Sequence, residues 1–248
     1  MPSRISEALV LRTYPLKEAD LVVSFFTRDQ GKLRGVAKRA RRPKGGFGAG
    51  LERLSHVQLK YFQRETRELV NLDSCELIQS QFGLASDYQA SVALDFFAEI
   101  SDQMLPSAEP SERFFRLLLA VLESLREGGE GTVLRAANYF SLWAVRLSGW
   151  LPELHACLAC GGVLDEPGER AFFTRGQPGL MCADCRRTLG GGNTWELTAE
   201  SRWLAEDMLR KPVAQISTAS AADLRRFLVQ QIEAHVERRL ITAPMLET

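Results

Sequence analysis

Histidine is scarce in this chain, and the common signatures of enzymes are missing. Only three histidines occur, His56, His155 and His235, and none stands in an HExxH pair or beside a nucleophile motif. There is no P-loop and no GxGxxG after a strand-like run, so the two common phosphate cradles are excluded. A zinc deaminase needs an HxE ahead of its PCxxC to supply a ligand and a proton shuttle, and the run His155-Ala156-Cys157-Leu158-Ala159-Cys160 does not provide it. Glu196 and Glu200 stand four apart near an expected helix start, where compensation of the helix dipole accounts for them. The expectation is a protein that is not an enzyme; the one surviving catalytic reading is a zinc hydrolase with an open metal position.

Long apolar runs are absent too. The first ten residues, MPSRISEALV, lack the apolar core of a signal peptide, and the longest uninterrupted aliphatic stretch, residues 117–122, is far too short to span a bilayer. A cytoplasmic protein with no membrane partner is expected. The 248 residues, 45% hydrophobic and 25% charged, suit a globular chain with one large domain or two to three small ones. Five cysteines, four of them in two close pairs, suggest a metal site in a reducing compartment over a disulfide framework.

What is present in quantity is positive charge, concentrated in one place. Residues 31–45, GKLRGVAKRARRPKG, carry seven basic side chains (Lys32, Arg34, Lys38, Arg39, Arg41, Arg42 and Lys44) and no acidic one. The whole chain has 31 basic and 31 acidic residues, so the remainder holds 24 against 31, a net of −7. A cationic segment on an acidic body is the footprint expected of a surface that meets a polyanion, with nucleic acid the leading candidate. The bland alternative is a solvated basic loop.

The segment lies within a β-rich region. Residues 5–14 are β-prone and residues 21–27 alternate, with Leu21, Val23 and Phe25 on one face and Val22, Ser24 and Phe26 on the other. Arg28-Asp29-Gln30-Gly31 reads as a hairpin turn. Strands over 32–37, 56–62 and 68–72 complete a set of five, which predicts a small barrel of the OB type, with an SH3-like barrel as the alternative. Tyr14, Phe26, Phe47 and Tyr61 are candidates to stack bases, although a barrel interior needs such residues and core is the better reading for most.

From about residue 84 the apolar period lengthens to that of helices. Val92, Phe96, Phe97, Ile100 and Met104 share one face; Phe114, Leu117, Leu118, Val121, Leu122 and Leu125 form another, ended by Gly128-Gly129. Residues 134–148 make a third helix with Gly149 at its cap, and Leu224, Leu228, Ile232, Val236 and Leu240 a last one. The expected organisation is α+β: an N-terminal five-stranded OB-fold barrel over 1–80, then an all-helical domain over 81–154 and 195–248, interrupted by a four-cysteine zinc-ribbon insert over 155–194.

Within that insert, Cys157-Leu158-Ala159-Cys160 precedes Gly161-Gly162, and 21 residues separate Cys160 from Cys182-Ala183-Asp184-Cys185. Two residues between paired thiolates let both sulfurs reach one tetrahedral ion, and glycines let the backbone amides turn toward them. Four thiolates leave no open position, so a bound zinc holds structure and does not activate water. A redox pair is the competing use of CxxC. Cys75 reads as a small buried hydrophobe, and His155 as a surface residue, not a ligand.

Taken together, GKLRGVAKRARRPK, then LERLSHVQL, CELIQS and finally LSGWLPELHACLACG resemble the bacterial RecO family of recombination mediators over nearly the whole chain. The resemblance implies an OB-fold, a helical domain and a zinc-binding insert with Zn2+ at Cys157, Cys160, Cys182 and Cys185. It also implies binding of single- and double-stranded DNA through Lys32, Arg34, Lys38, Arg39, Arg41, Arg42 and Lys44, annealing of complementary strands, and work with RecR to load RecA on strands coated by SSB. The acidic C-terminal tail of SSB is expected on the helical domain. The rival class is a zinc-ribbon RNA-binding or transcription-associated adaptor, distinguished by a preference for 2′-hydroxyls.

Overall fold

Alternation of side chains closes the N-terminal sheet on itself. In the computed structural model, which describes residues 3–42, 46–63, 69–189, 193–217 and 221–246, five strands form a closed barrel: β1 (Ser3–Leu16), β2 (Asp20–Thr27), β3 (Gly31–Ala37), β4 (His56–Phe62) and β5 (Val70–Gln79). Their order is β1-β2-β3-β5-β4, with β4 returning to β1 and the β3–β5 pair parallel. That is the Greek-key barrel of an OB-fold, which decides against the SH3-like alternative. Ala8, Val10, Val23, Phe25, Leu33, Val57, Leu59 and Tyr61 fill its interior. A bulge between Val10 and Arg12 shifts the parity of β1, so Arg12 and Tyr14 pair with Ser24 and Val22 on the outer face.

The connections carry their own packing logic. Residues 28–30 turn as expected and Gly31 follows at φ +74°. A Cβ at Gly31 would meet the Glu109 carbonyl oxygen at 2.3 Å, because residues 107–109 run along the start of β3 and the Ala108 N–H donates to the Lys32 carbonyl at 2.9 Å. After β3 the chain returns to the barrel at Phe47 and Leu51, which join the core through a short 3-10 turn. Gly50 in that turn approaches the Cys75 sulfur so closely that a Cβ would sit 2.4 Å from it.

The fifth strand differs from the sequence expectation. It runs over Val70–Gln79, not 68–72, and Glu68 lies outside the described residues. The added stretch leaves Asp73, Ser74, Glu76, Leu77 and Ile78 exposed, so no alternation of apolar residues marks it.

The chain divides into two compact units, residues Met1–Arg116 with Pro244–Thr248, and Leu117–Ala243. The first unit adds α1 (Phe82–Ala85), α2 (Tyr88–Met104) and the opening turn of α3 (Glu112–Glu127) to the barrel. Asp87 caps α2, its side chain accepting the Ala90 N–H at 2.8 Å, and the helix buries Val92, Phe96, Phe97, Ile100 and Met104 as their spacing predicts. Phe26, on the outer face of β2, packs on Phe114 and Phe115 at ring distances of 6.0 and 5.8 Å.

The second unit holds the rest of α3, then α4 (Thr132–Leu147), β6 (Ala171–Thr174), α5 (Ala183–Leu189), β7 (Thr194–Leu197), α6 (Ala199–Arg210) and α7 (Ala222–Val236). Gly149 at φ +77° lets the Trp150 N–H reach back to the Val145 carbonyl, the glycine cap that the sequence predicts. The last helix is shorter than its leucine spacing suggests. Glu237 turns into the left-handed region at φ 54°, so Leu240 lies beyond α7, and its N–H donates to Glu233 Oε1 at 2.9 Å. Glu200 sits in the first turn of α6, whereas Glu196 lies on β7 and pairs with Arg170. Among the described residues no helix is long and apolar enough to cross a membrane.

Candidate nucleic-acid interface and cysteine cluster

The basic stretch separates into one buried cation and a set of exposed ones. Lys32 is only 8% exposed, and its ammonium donates to the Asp102 carbonyl near the end of α2. Burial lowers its pKa, with Asp102 opposing that and Arg34 adding to it. The sequence offers Lys32 as a strand contact, but it serves instead as counter-charge to the carbonyl end of a helix, where orphan acceptors need a donor. Arg34, Lys38, Arg39, Arg41 and Arg42 are exposed, and none makes an ion pair with another described residue. Lys44 lies outside the described residues.

Backbone bonds fix where the exposed cations stand. The Arg39 N–H donates to Asp20 Oδ1 at 2.8 Å, the Arg41 N–H to the Ala19 carbonyl at 3.0 Å and the Arg42 N–H to the Arg39 carbonyl at 3.1 Å. Residues 38–42 are thereby tied to the β1–β2 turn. Arg39 adopts φ 56° to make this turn, a conformation that L side chains rarely take. Arg34 faces outward from β3 opposite Ser24, and Ser24 in turn pairs with Arg12 on β1. The row Arg12, Ser24, Arg34 therefore crosses three strands on one outer face. Arg12, which sequence reading passes over, lies past the bulge with its guanidinium 5.5 Å from the centre of the Tyr14 ring. Its parity is readable only once the bulge is known.

The aromatic candidates sort by side. Phe26, Phe47 and Tyr61 are buried, while Tyr14 is half-buried on the outer face beside Arg12. Arg28, by contrast, is engaged: it forks onto Glu112, holds Glu7 at 2.9 Å and lies over the Phe115 ring. Burial raises the Glu7 carboxyl, but Arg28 and His56 outweigh it and hold it below its usual value.

The four paired cysteines meet in the second unit. Their sulfurs all lie within 4.8 Å of one another, with Cys160 Sγ and Cys182 Sγ at 4.0 Å, close to the roughly 3.8 Å edge of a tetrahedron of thiolates around zinc. Gly161 at φ +71° makes the knuckle, its N–H bonding the Cys157 carbonyl at 2.9 Å. The amides of Gly162, Cys182 and Cys185 point at the sulfurs of Cys160, Cys157 and Cys182, at 3.4, 3.3 and 3.4 Å. Burial raises the Cys157 thiol, yet backbone donors from Cys160, Cys182 and Ala159 bring it down to about 6. Cys185, donating to Cys182 and Cys160, is pushed up to about 12. This donor set fits a thiophilic ion held by four ligands. His155 stands apart from it, with Nδ1 2.6 Å from Asp165 and Nε2 3.0 Å from Glu206. Cys75 is half-buried against the barrel core and burial pushes its thiol up to about 11, which keeps it inert.

A family model described as Recombination protein O N terminal matches residues 1–81, and one described as Recombination protein O C terminal matches residues 85–242. The chain belongs to the RecO family. It is 46% identical over 247 residues to the DNA repair protein RecO of Koribacter versatilis, covering 98% of this chain and 97% of that protein. The DNA repair protein RecO of Anaeromyxobacter sp. is 31% identical over 96% of this chain and 93% of its own length. That of Symbiobacterium thermophilum is 30% identical, with 98% and 96% covered. RecO is a DNA repair family; the barrel falls within the first matched part, and α2 to α7 with the cysteine cluster fall within the second.

Proposed function

We propose that this chain is a recombination mediator that binds single- and double-stranded DNA on its barrel, anneals complementary strands, and works with RecR to load RecA onto strands coated by SSB. The observation that carries the reading is the set of exposed cations, without ion-pair partners among the described residues, on a closed five-stranded barrel: Arg34, Lys38, Arg39, Arg41 and Arg42. Each phosphate neutralised releases condensed counterions, so binding tolerates sequence and weakens with salt. Annealing then needs no bond chemistry, because cations screen the repulsion between two strands while bases pair. Zn2+ held by Cys157, Cys160, Cys182 and Cys185 is structural, since four thiolates fill the tetrahedron. The acidic SSB tail is assigned to the helical domain.

The test is fluorescence anisotropy of a labelled single-stranded DNA across several salt concentrations, with an RNA of the same sequence beside it. Native protein is expected to bind DNA with a log-log salt slope of about −0.7 per phosphate contacted. The combined variant Lys38→Ala, Arg39→Ala, Arg41→Ala, Arg42→Ala should lose most of the affinity, flatten the slope and stop annealing, while its thermal melt stays near native. Equal binding by the two proteins would remove the basic turn as the DNA site, and a preference for RNA would favour the adaptor reading.

A further inference from the structure

An acidic side chain stands at the foot of the basic turn and pairs with none of its described cations. The antiparallel ladder of β2 and β3 ends where Leu21 faces Ala37. One residue beyond that end the Asp20 side chain extends the connection, its Oδ1 accepting the Arg39 N–H at 2.8 Å. Asp20 makes no ion pair with any described residue. A carboxylate beside arginines ordinarily takes a guanidinium fork. Here it is given to a backbone amide, and Lys38, Arg39, Arg41 and Arg42 keep their charges for another anion. The turn itself needs holding, because Arg39 at φ 56° is in a conformation that persists only where surrounding contacts enforce it. Its other bonds run between backbone groups, Arg41 N–H to the Ala19 carbonyl at 3.0 Å and Arg42 N–H to the Arg39 carbonyl at 3.1 Å. Among the described residues, the Asp20 bond is the one that a side chain supplies, so a single substitution removes it and leaves the barrel ladder in place.

We infer that Asp20 is a positioning residue for the DNA contact: its carboxylate clamps the Arg39 amide and so presents Lys38, Arg39, Arg41 and Arg42 in one preset geometry while leaving their charges unpaired. A turn that is already ordered meets a phosphate chain without first giving up conformational freedom, so less ordering opposes binding. Charge alone acts in the other direction. A carboxylate beside a bound strand repels its phosphates, and on electrostatic grounds deleting Asp20 tightens binding. Clamping and repulsion thus have opposite signs at the same residue, which separates a positioning role from a general effect of charge. This inference rests on the DNA reading and deepens it.

Asp20→Ala removes the acceptor and the charge together, whereas Asp20→Asn removes the charge and keeps an oxygen for the Arg39 N–H. Anisotropy with the same labelled single strand should show Kd raised roughly 3- to 10-fold in Asp20→Ala, with the salt slope within about 0.7 of native because the same phosphates are met once the strand is bound. Asp20→Asn should bind as the native protein does or more tightly. So should Glu18→Ala, which deletes an exposed acid from the same β1–β2 turn. Amide hydrogen exchange followed by NMR gives a readout without DNA: protection of the Arg39 N–H is lost in Asp20→Ala and kept in Asp20→Asn, while the thermal melts of both stay near native. Native-like or tighter binding by Asp20→Ala overturns the inference, as does an equal loss of affinity in Asp20→Asn or Glu18→Ala, or Arg39 protection that survives Asp20→Ala. If native protein itself shows no salt-steep DNA binding, the functional reading fails and this inference with it; salt-steep native binding with an unaltered Asp20→Ala variant removes the inference alone.

Discussion

Asp223 shows how one side chain joins two helices. Its carboxylate accepts from the Thr198 N–H and hydroxyl at 2.9 Å each and from the Ser201 hydroxyl at 2.6 Å, so the first turn of α7 is bonded to the start of α6. Burial raises its pKa, but these donors outweigh burial and hold it below the ordinary value of about 3.9. A carboxyl depressed in the folded state binds fewer protons there than in the unfolded chain. Its contribution is therefore complete above that ordinary value and is lost as pH falls through the lower folded one. Asp223→Asn is expected to cost about 2 kcal/mol near neutral pH and to flatten the acid limb of a stability profile measured by urea denaturation at successive pH values. Single residues are also where sequence reading is weakest. Cys157, Cys160, Cys182 and Cys185 are legible because metal geometry imposes their spacing, whereas the burial of Lys32 depends on Asp102, 70 positions away, and leaves no local trace. Arg12 is hidden by the bulge that precedes it.

Among elements, the β6–β7 ribbon of the cysteine region depends on a neighbour outside it. Arg202 of α6 is fully buried, and its guanidinium donates to the carbonyls of Leu164, Glu169 and Leu197 at 2.8 to 3.3 Å. Phe173 of β6 packs on Phe227 of α7 at 5.1 Å, so polar and apolar contacts both tie the ribbon to the helices. Arg202→Leu leaves three carbonyls without a donor and is expected to cost about 3 kcal/mol, read by denaturation followed through tryptophan fluorescence. Loss below about 1 kcal/mol would mean that water replaces the guanidinium. Element by element, the strand over 56–62 and the glycine stop after α4 follow from alternation and from positive φ. The outer part of β5 does not, because its polar, exposed residues carry no periodic signal and pairing with β4 alone makes them a strand. Leu240 extends the leucine spacing of α7 yet lies outside it, since Glu237 reverses the backbone first.

For the whole molecule, the exposed cations and the cysteine cluster belong to different compact units, the first within Met1–Arg116 and the second within Leu117–Ala243. Metal removal should therefore act on one and spare the other. Treatment with a thiol-directed mercurial in the presence of a chromogenic chelator is expected to release one zinc per chain and to lower the thermal transition of the second unit, because the ligands' binding energy is also folding energy. On the proposed reading, in which counterion release comes from the barrel, anisotropy on single-stranded DNA should stay within about twofold of native. Loss of DNA binding together with the metal would assign strand contact to the cysteine region.

Arg39 carries a consequence for how this protein changes over generations. At φ 56° the backbone there accepts glycine or asparagine more readily than arginine. A library screened only for folded, abundant protein should enrich those two residues at this site, while one screened for survival of DNA damage should keep the cation. On the proposed DNA reading, the distance between the two outcomes at a single codon is a direct reading of how much stability this lineage forgoes to keep a cation at this turn.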